Sequence, residues 1–541
     1  MPIRPRMALV AAAVLAALVS GVHGRAPGDD AALQFQLGTL LFEETRYREA
    51  LEAFRKAVGA DSLSMALQAR MGVVRSALRL GEFLEAQKEA QTLKQQAPKS
   101  PEVLTVHADA LWSAGLFDEA HEEFKDALAL VPDLSRGHHG LARALASQNR
   151  LDDALNEAQA ALKLAPRDEE VHHTVGAIFE RMRRYEQAAA AYTNYVNLLP
   201  NKDRSDKASW SRSQIRFLRS FGEREPIAID NQGENQLHTV DFRIIDEKVI
   251  VKARVNGGRP QDFVLDTGSE LTTVSRQTAS SAVVRPITYT LSAGVGEVGL
   301  RGLQLGRLDT LEIGTLKLSN VPTLIKAPAL RGIPKRETES FSPLGLGLSM
   351  TIDYAAHRLS IGKTLPAERA EFTLPMRHHR LTLVRGMINQ TRPTYFVVDT
   401  GGEVISISTA TAEDINQTMA RKIALRVYGT SGWDRDAFLM PGVNLRFNDI
   451  TFNNFAVVVL NLQAPSVLLG FQVGGIVGHK FLSPYRVSLD LDRSEPFLRH
   501  VPGHNLLASA LFHQPLSAYS LQILWKYSTA SCILTQIQGV F

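Results

Sequence analysis

Cysteine is almost missing from this chain: Cys532 is the only one in 541 residues. No disulfide can close within the chain, so its folding rests on packing alone. Excess charge of one sign is scarce too. The formal net charge is +4, with no concentrated basic stripe, and nucleic acid is therefore not an expected partner. Charged residues at 21% and apolar residues at 45% describe globular domains, not a disordered chain. The length predicts several domains.

Long apolar runs are also lacking. The one near the start, Met7 to Val19, is shorter than the roughly 20 residues a spanning helix needs. Arg4 and Arg6 precede it, and Ser20, Gly21 and Gly24 follow. That order predicts a signal peptide over residues 1–24, cut near Gly24, and a periplasmic or secreted location. Membrane association is expected only if this segment stays uncleaved. No cysteine follows the run, which excludes lipid attachment there.

Periodicity fills the first half. "YREALEAFRKAV", "FLEAQKEAQTLK", "FDEAHEEFKDAL", "LDDALNEAQAAL" and "YEQAAAAYTNYV" align on Ala50, Ala86, Ala120, Ala154 and Ala188. Their spacings are 36, 34, 34 and 34, and Pro98, Pro132, Pro166 and Pro200 close four units at intervals of 34. Small residues let paired helices approach, aromatics fill the remaining gap, and proline ends the second helix. Residues 31–204 resemble the tetratricopeptide repeat in five units. That resemblance implies a solenoid whose groove receives a protein partner, with a spacer as the alternative. Residues 205–225 are expected to form a capping helix, with Trp210, Ile215, Phe217 and Leu218, and a linker. The pairs His138–His139 and His172–His173 lie 34 apart, so they belong to the repeat surface; no metal site is expected of them.

The second half changes texture. Alternating stretches such as "VIVKARV" and "GVNLRF", bounded by Gly, Asn and Pro, predict an all-β region. It is written twice. "FVLDTGSE" at 263–270 returns as "FVVDTGGE" at 396–403, and Asn256, Arg259, Pro260, Phe263, Val264, Asp266, Thr267, Gly268 and Glu270 each have an identical residue 133 positions on. The copies run over about 237–363 and 373–499, and residues 503–541 match neither. Downstream stand "SAGVGEVG" (292–299) and "YGTSGW" (428–433), then "PLG" (343–345) and "IVG" (476–478), with Gly345 and Gly478 each 79 residues after its Asp. One mismatch remains: Gly345 precedes Asp353 by 8 residues and Gly478 precedes Asp490 by 12.

These motifs resemble the retropepsin and pepsin families of aspartic proteases. The resemblance implies two β lobes closing on one site, with Asp266 and Asp399 as the catalytic pair and neither metal nor cofactor. Two carboxylates about 3 Å apart cannot both ionise, so they share a proton: one activates water and the other protonates the carbonyl. Thr267, Gly268, Ser269, Thr400, Gly401 and Gly402 are expected to support the loops, the Ser269 hydroxyl being placed to bond its aspartate where Gly402 has none. Gly345 and Gly478 are expected to buttress the loops, and Gly294, Gly296, Tyr428 and Gly429 to sit in flaps. Asp353 and Asp490 are expected to face solvent or cap, and Lys335–Arg336 with Glu337 and Glu339 to form a solvated loop. The expected function is an endopeptidase acting on peptide or protein substrates. The alternatives are a non-catalytic peptide-binding relative and a repeat scaffold.

Overall fold

A computed structural model describes residues 27–500 and 537–539, apart from residues 204, 231, 232, 234, 297, 298, 327–338, 416–421 and 494. The expected signal peptide and Lys335–Glu337 lie outside the described residues. So does the tail, except Ile537–Gly539, which pairs with Leu425–Val427. Among the described residues, no helix is long and apolar enough to cross a membrane. Contacts divide the chain into two units, with the boundary between Gly140 and Leu141.

The first unit is helical, with Pro27–Glu43, Tyr47–Ala57, Leu63–Leu80, Phe83–Gln96, Pro101–Ser113 and Phe117–Leu130. The alanine rows of the sequence are its seams: Ala50, Ala86 and Ala120 are fully buried. Four residues past Ala50 and Ala120 stand the aromatics Phe54 and Phe124, and each fills space left by glycine. A Cβ at Gly72 would lie 2.6 Å from the Phe54 ring, and one at Gly140 2.0 Å from Phe124. Ser100 starts its helix by accepting the Val103 N–H at 3.3 Å, with Pro101 in the first turn.

The second unit opens with helices of the same kind, Leu151–Leu164, Glu169–Arg181 and Tyr185–Leu198. Asp168 caps one of them by accepting from Glu170 N–H at 2.9 Å. The histidine pairs behave as repeat features. His138 Nε2–H donates to the Pro132 carbonyl at 2.8 Å, and His172 Nε2–H to Pro166 at 3.1 Å, six residues back in each case.

Helix Asp206–Arg219 follows and has two partners. Its Ile215, Phe217 and Leu218 share one buried cluster with Ala188, Tyr192 and Tyr195 of the last repeat and with Leu305 of a β-sheet. The expected cap on the stack is therefore also a cover for the first β lobe. Arg183, in the turn between two repeat helices, strengthens the joint: it donates to the carbonyls of Ile227 at 3.0 Å and Leu346 at 2.6 Å.

The β region contains three sheets among the described residues. In the first lobe, Gln261–Leu265 lies antiparallel to Lys248–Val255 and parallel to Glu339–Phe341. In the second, Arg392–Val398 lies antiparallel to Leu381–Ile388 and parallel to Gly475–Val477. A six-stranded sheet joins the lobes, ordered Phe372–Thr373, Glu495–His500, Tyr485–Asp490, Ser349–Asp353, Arg358–Gly362, His238–Asp241. Its centre pairs Met350 with Leu489 and Asp353 with Arg486, and Thr351 Oγ1 meets Ser488 Oγ at 2.9 Å. This is a helical solenoid followed by a two-lobed, acid-protease-like β fold. The region is not wholly β: Arg276–Ser281, Thr409–Asp414, Gln463–Leu469 and His479–Leu482 are short helices. The first two begin at matched serines, Ser275 accepting Thr278 N–H at 3.1 Å and Ser408 accepting Thr411 N–H at 3.0 Å.

Two expectations about carboxylates resolve differently. Asp490 is buried and caps a turn by accepting from Asp492 and Arg493 N–H, and Asp353 accepts from Ala356 N–H and from Arg486. Glu339, expected in a solvated loop, is instead a buried strand residue that accepts from the Ser275 and Thr278 hydroxyls. Those donors remove the cost of burying it.

Replacing Arg183 by Met leaves the Ile227 and Leu346 carbonyls without this donor. The expected loss is about 1–3 kcal/mol, read as a lower urea midpoint with an unchanged slope.

Candidate active site

Each Asp-Thr-Gly begins where a buried apolar strand ends. Asp266 N–H donates to Phe341 O at 2.9 Å and Asp399 N–H to Val477 O at 3.0 Å, so both turns hang from their parallel neighbours. Both aspartates are fully buried. The threonines lace the turns together. Thr267 Oγ1–H donates to Val398 O at 2.6 Å and accepts Thr400 N–H at 3.0 Å. Thr400 Oγ1–H donates to Leu265 O at 2.7 Å and accepts Thr267 N–H at 3.1 Å. Residues 133 apart thus exchange equivalent bonds across the lobes.

The glycines admit this approach. A Cβ at Gly268 would stand 2.5 Å from Asp399 Cγ, and one at Gly402 would stand 3.0 Å from Asp399 Oδ2. Gly401 N–H donates to Asp399 Oδ1 at 2.8 Å. Burial pushes the Asp399 carboxyl above its ordinary range, while the Lys248 charge, the N–H groups of Gly402 and Gly401 and a hydrogen bond with Asp266 pull it down. Ser269 departs from expectation. Its hydroxyl donates to Leu271 O at 2.8 Å, not to Asp266, because the turn aims it at the following strand.

Gly345 and Gly478 both back onto a loop, but out of register. A Cβ at Gly345 would meet Glu270 O at 2.3 Å, and one at Gly478 would meet Gly402 O at 2.8 Å. The strand pairing equates Phe341 with Val477, so the residue matching Gly478 is Ser342, and Gly345 comes three positions later. The equal 79-residue spacing is coincidental. Counted from the paired residues, Asp353 is 12 beyond Phe341 and Asp490 is 13 beyond Val477, and the mismatch nearly vanishes.

The flap residues come together at two hairpin tips. Strand Pro286–Ala293 pairs antiparallel with Leu300–Ile313, and Ile423–Gly429 with Gly432–Asp434. Gly294 N–H donates to Ser431 Oγ at 3.1 Å, Ser431 N–H to Val295 O at 3.0 Å, and Arg301 Nη1 to Thr430 O at 2.6 Å. A Cβ at Gly429 would lie 2.4 Å from Val295 O, and one at Gly296 2.4 Å from the Ser431 carbonyl carbon. Tyr428 pairs across its hairpin with Trp433, ring centroids 5.4 Å apart.

Sequence reasoning gave no role to Glu270 and Glu403, although both are identical across the duplication. Glu270 accepts from Arg380 of the other lobe at 2.8 Å. Buried Lys248 and His479 were not singled out; a lysine standing directly before the apolar run Val249–Val251 was the available signal.

This geometry defines the class: a two-lobed fold with one Asp-Thr-Gly turn from each lobe at a shared centre. Comparison with known proteins agrees. An aspartyl protease family model matches residues 251–347 and 384–477, and two tetratricopeptide repeat models match residues 35–101 and 111–178. The chain is a tetratricopeptide array followed by a duplicated aspartyl-protease region. No curated protein matches it. Similar solved structures include a thermophilic TPR protein of Thermus thermophilus, at 21% identity and TM-score 0.30 over 34% of this chain and 98% of that one. Another is MamA from Desulfovibrio magneticus RS-1, at 18% identity and TM-score 0.25 over 32% and 97%.

Thr400→Val strands the Leu265 carbonyl and the Thr267 N–H. A loss of roughly 2–4 kcal/mol is expected, measured by chemical unfolding; a loss near zero contradicts the lacing.

Proposed function

We propose that this chain is an aspartic endopeptidase, with Asp266 and Asp399 as its catalytic pair and the repeat array as a recruiter of protein substrates or partners. The observation that carries the reading is the exchange of Thr267 and Thr400 bonds, which holds two buried carboxyls from different lobes at one centre. Such a pair shares one proton and titrates as a unit. The ionised member takes a proton from water as its oxygen attacks the peptide carbonyl, while the protonated member donates to the carbonyl oxygen. Collapse of the tetrahedral diol breaks the C–N bond, and a proton passes to the leaving nitrogen. The substrate lies extended between the lobes and pairs with the flap strands. Entry requires the Ser431 contacts with Gly294 and Val295 to separate.

The test is cleavage of a denatured protein mixture by the purified full chain between pH 3 and 7 (about the range a shared proton favours). Asp266→Asn and Asp399→Asn are each expected to lower cleavage by about 10²–10⁴-fold while unfolding cooperatively like the parent. Cleavage surviving in either variant contradicts the shared pair. Silence from the folded parent turns the reading toward a peptide-binding cleft.

A further inference from the structure

The first flap is held along its length by a helix that lies outside both lobes. Gly302 of strand Leu300–Ile313 meets an indole: a Cβ there would stand 3.6 Å from Trp210 Cη2 of helix Asp206–Arg219. Farther down the strand, Leu305 is buried in one cluster with Phe217 and Leu218 of that helix, and Ile287 of the paired strand packs against it. At the base, Arg307 Nη1 donates to Ser220 O at 3.2 Å, and its guanidinium lies 5.3 Å from the centre of the Phe221 ring. The steps match. Trp210 to Ser220 is about 15 Å of helix at roughly 1.5 Å per residue. Gly302 to Arg307 is about 16 Å of strand at roughly 3.3 Å per residue. The helix therefore runs alongside the flap strand, not across it.

The second flap is held differently. The two strands of the first flap share seven paired positions, and Leu300–Ile313 pairs at nine more with Leu316–Ile325. The two strands of the second flap share three. Its strand Ile423–Gly429 also pairs at two positions with Phe438–Phe447 and at three with Ile537–Gly539. Short ladders open locally at lower cost than long ones backed by buried apolar contacts. Beside Gly302 stands Arg301, whose Nη1 reaches Thr430 O in the tip of the second flap at 2.6 Å. One line of contact thus runs from the helix, through the first flap, to the tip of the second.

We propose that Trp210 is a positioning residue of the flaps: seated against Gly302, it fixes the first flap as the stationary half of the cover, with Arg301 held ready, and the second flap makes the opening and closing movement. The inference rests on the endopeptidase reading above for its catalytic meaning and concerns how substrate enters. The helix that carries Trp210 also packs on Tyr192 and Tyr195 of the last repeat, so the cover of the cleft takes its reference from the repeat array. Ordering a segment on binding costs affinity, and a flap that is already in place removes that cost.

Loosening the first flap lowers the fraction of molecules whose cover can close, and apparent affinity falls by that fraction. Trp210→Ala is expected to raise KM for a peptide substrate about tenfold and to leave kcat within about a factor of two, because bound substrate selects the closed cover. Trp210→Leu serves if the Ala variant misfolds. Trp210→Phe keeps a ring over Gly302 and is expected to restore KM. An unchanged KM in the folded Ala or Leu variant, or a loss carried by kcat alone, overturns the proposal.

A second readout needs no activity. Cys532 is the only cysteine, so spin labels can be placed in pairs in a Cys532→Ser chain. Exposed Tyr289 reports the first flap and exposed Arg426 the second, as Tyr289→Cys or Arg426→Cys, each paired with Arg216→Cys on the outer face of the helix. Pulsed electron resonance is expected to give one narrow distance for the Tyr289 pair and a broad one for the Arg426 pair, and Trp210→Ala is expected to broaden the first. A broad Tyr289 distance in the parent, a narrow Arg426 distance, or no effect of Trp210→Ala overturns the proposal. If the parent does not cleave, the endopeptidase reading fails, while these distances still decide which flap is fixed.

Discussion

Two threonine hydroxyls carry the arrangement on which the site depends. Each reaches out of its own lobe, donates to a strand-end carbonyl of the other and accepts the N–H of its counterpart. All of these groups are buried, and a buried polar group is expensive to leave unpaired. Neither turn can therefore satisfy its threonine alone, and the lobes must close in one register. The six-stranded sheet sets the same register from outside, since its central strands come one from each lobe. Carboxyl spacing and glycine positions follow from that closure.

The later repeats are part of the same unit as the lobes. Helix Asp206–Arg219 buries one face against the last repeat and shares its cluster with Leu305, Ile287 and Leu324 of the first lobe. Arg183 ties a repeat turn to the Leu346 carbonyl, just past the segment that backs the Asp266 loop. Glu180, held by Tyr192 and Gln214 within the helices, feels the Arg380–Glu270 pair. A partner that shifts these helices would press on groups directly behind an Asp-Thr-Gly turn.

Much of this was legible beforehand because duplication and repetition leave fixed offsets. The 34-residue period placed the helices, and with them the aromatic packing now seen at Phe54 and Phe124. The 133-residue offset found both Asp-Thr-Gly turns and the residues that lace them. What stayed hidden depends on side-chain direction. The 79-residue match of Gly345 with Gly478 failed because strand pairing counts from Phe341 and Val477. Ser269 turned its hydroxyl along the chain, and Glu339 was read from its charged neighbours although hydroxyl donors bury it. Lys248 lay beyond any local pattern because the groups its charge acts on, Asp399, Glu403 and His479, stand in the other copy.

The central claim, that one carboxyl from each copy builds a single site, is tested most directly by calorimetry with a pair of peptides. One carries a tetrahedral secondary alcohol in place of the scissile carbonyl, and the other lacks only that hydroxyl. A shared aspartate pair is expected to bind the alcohol at least about a hundredfold more tightly. Equal affinity for the two peptides, with the fold intact, would contradict it.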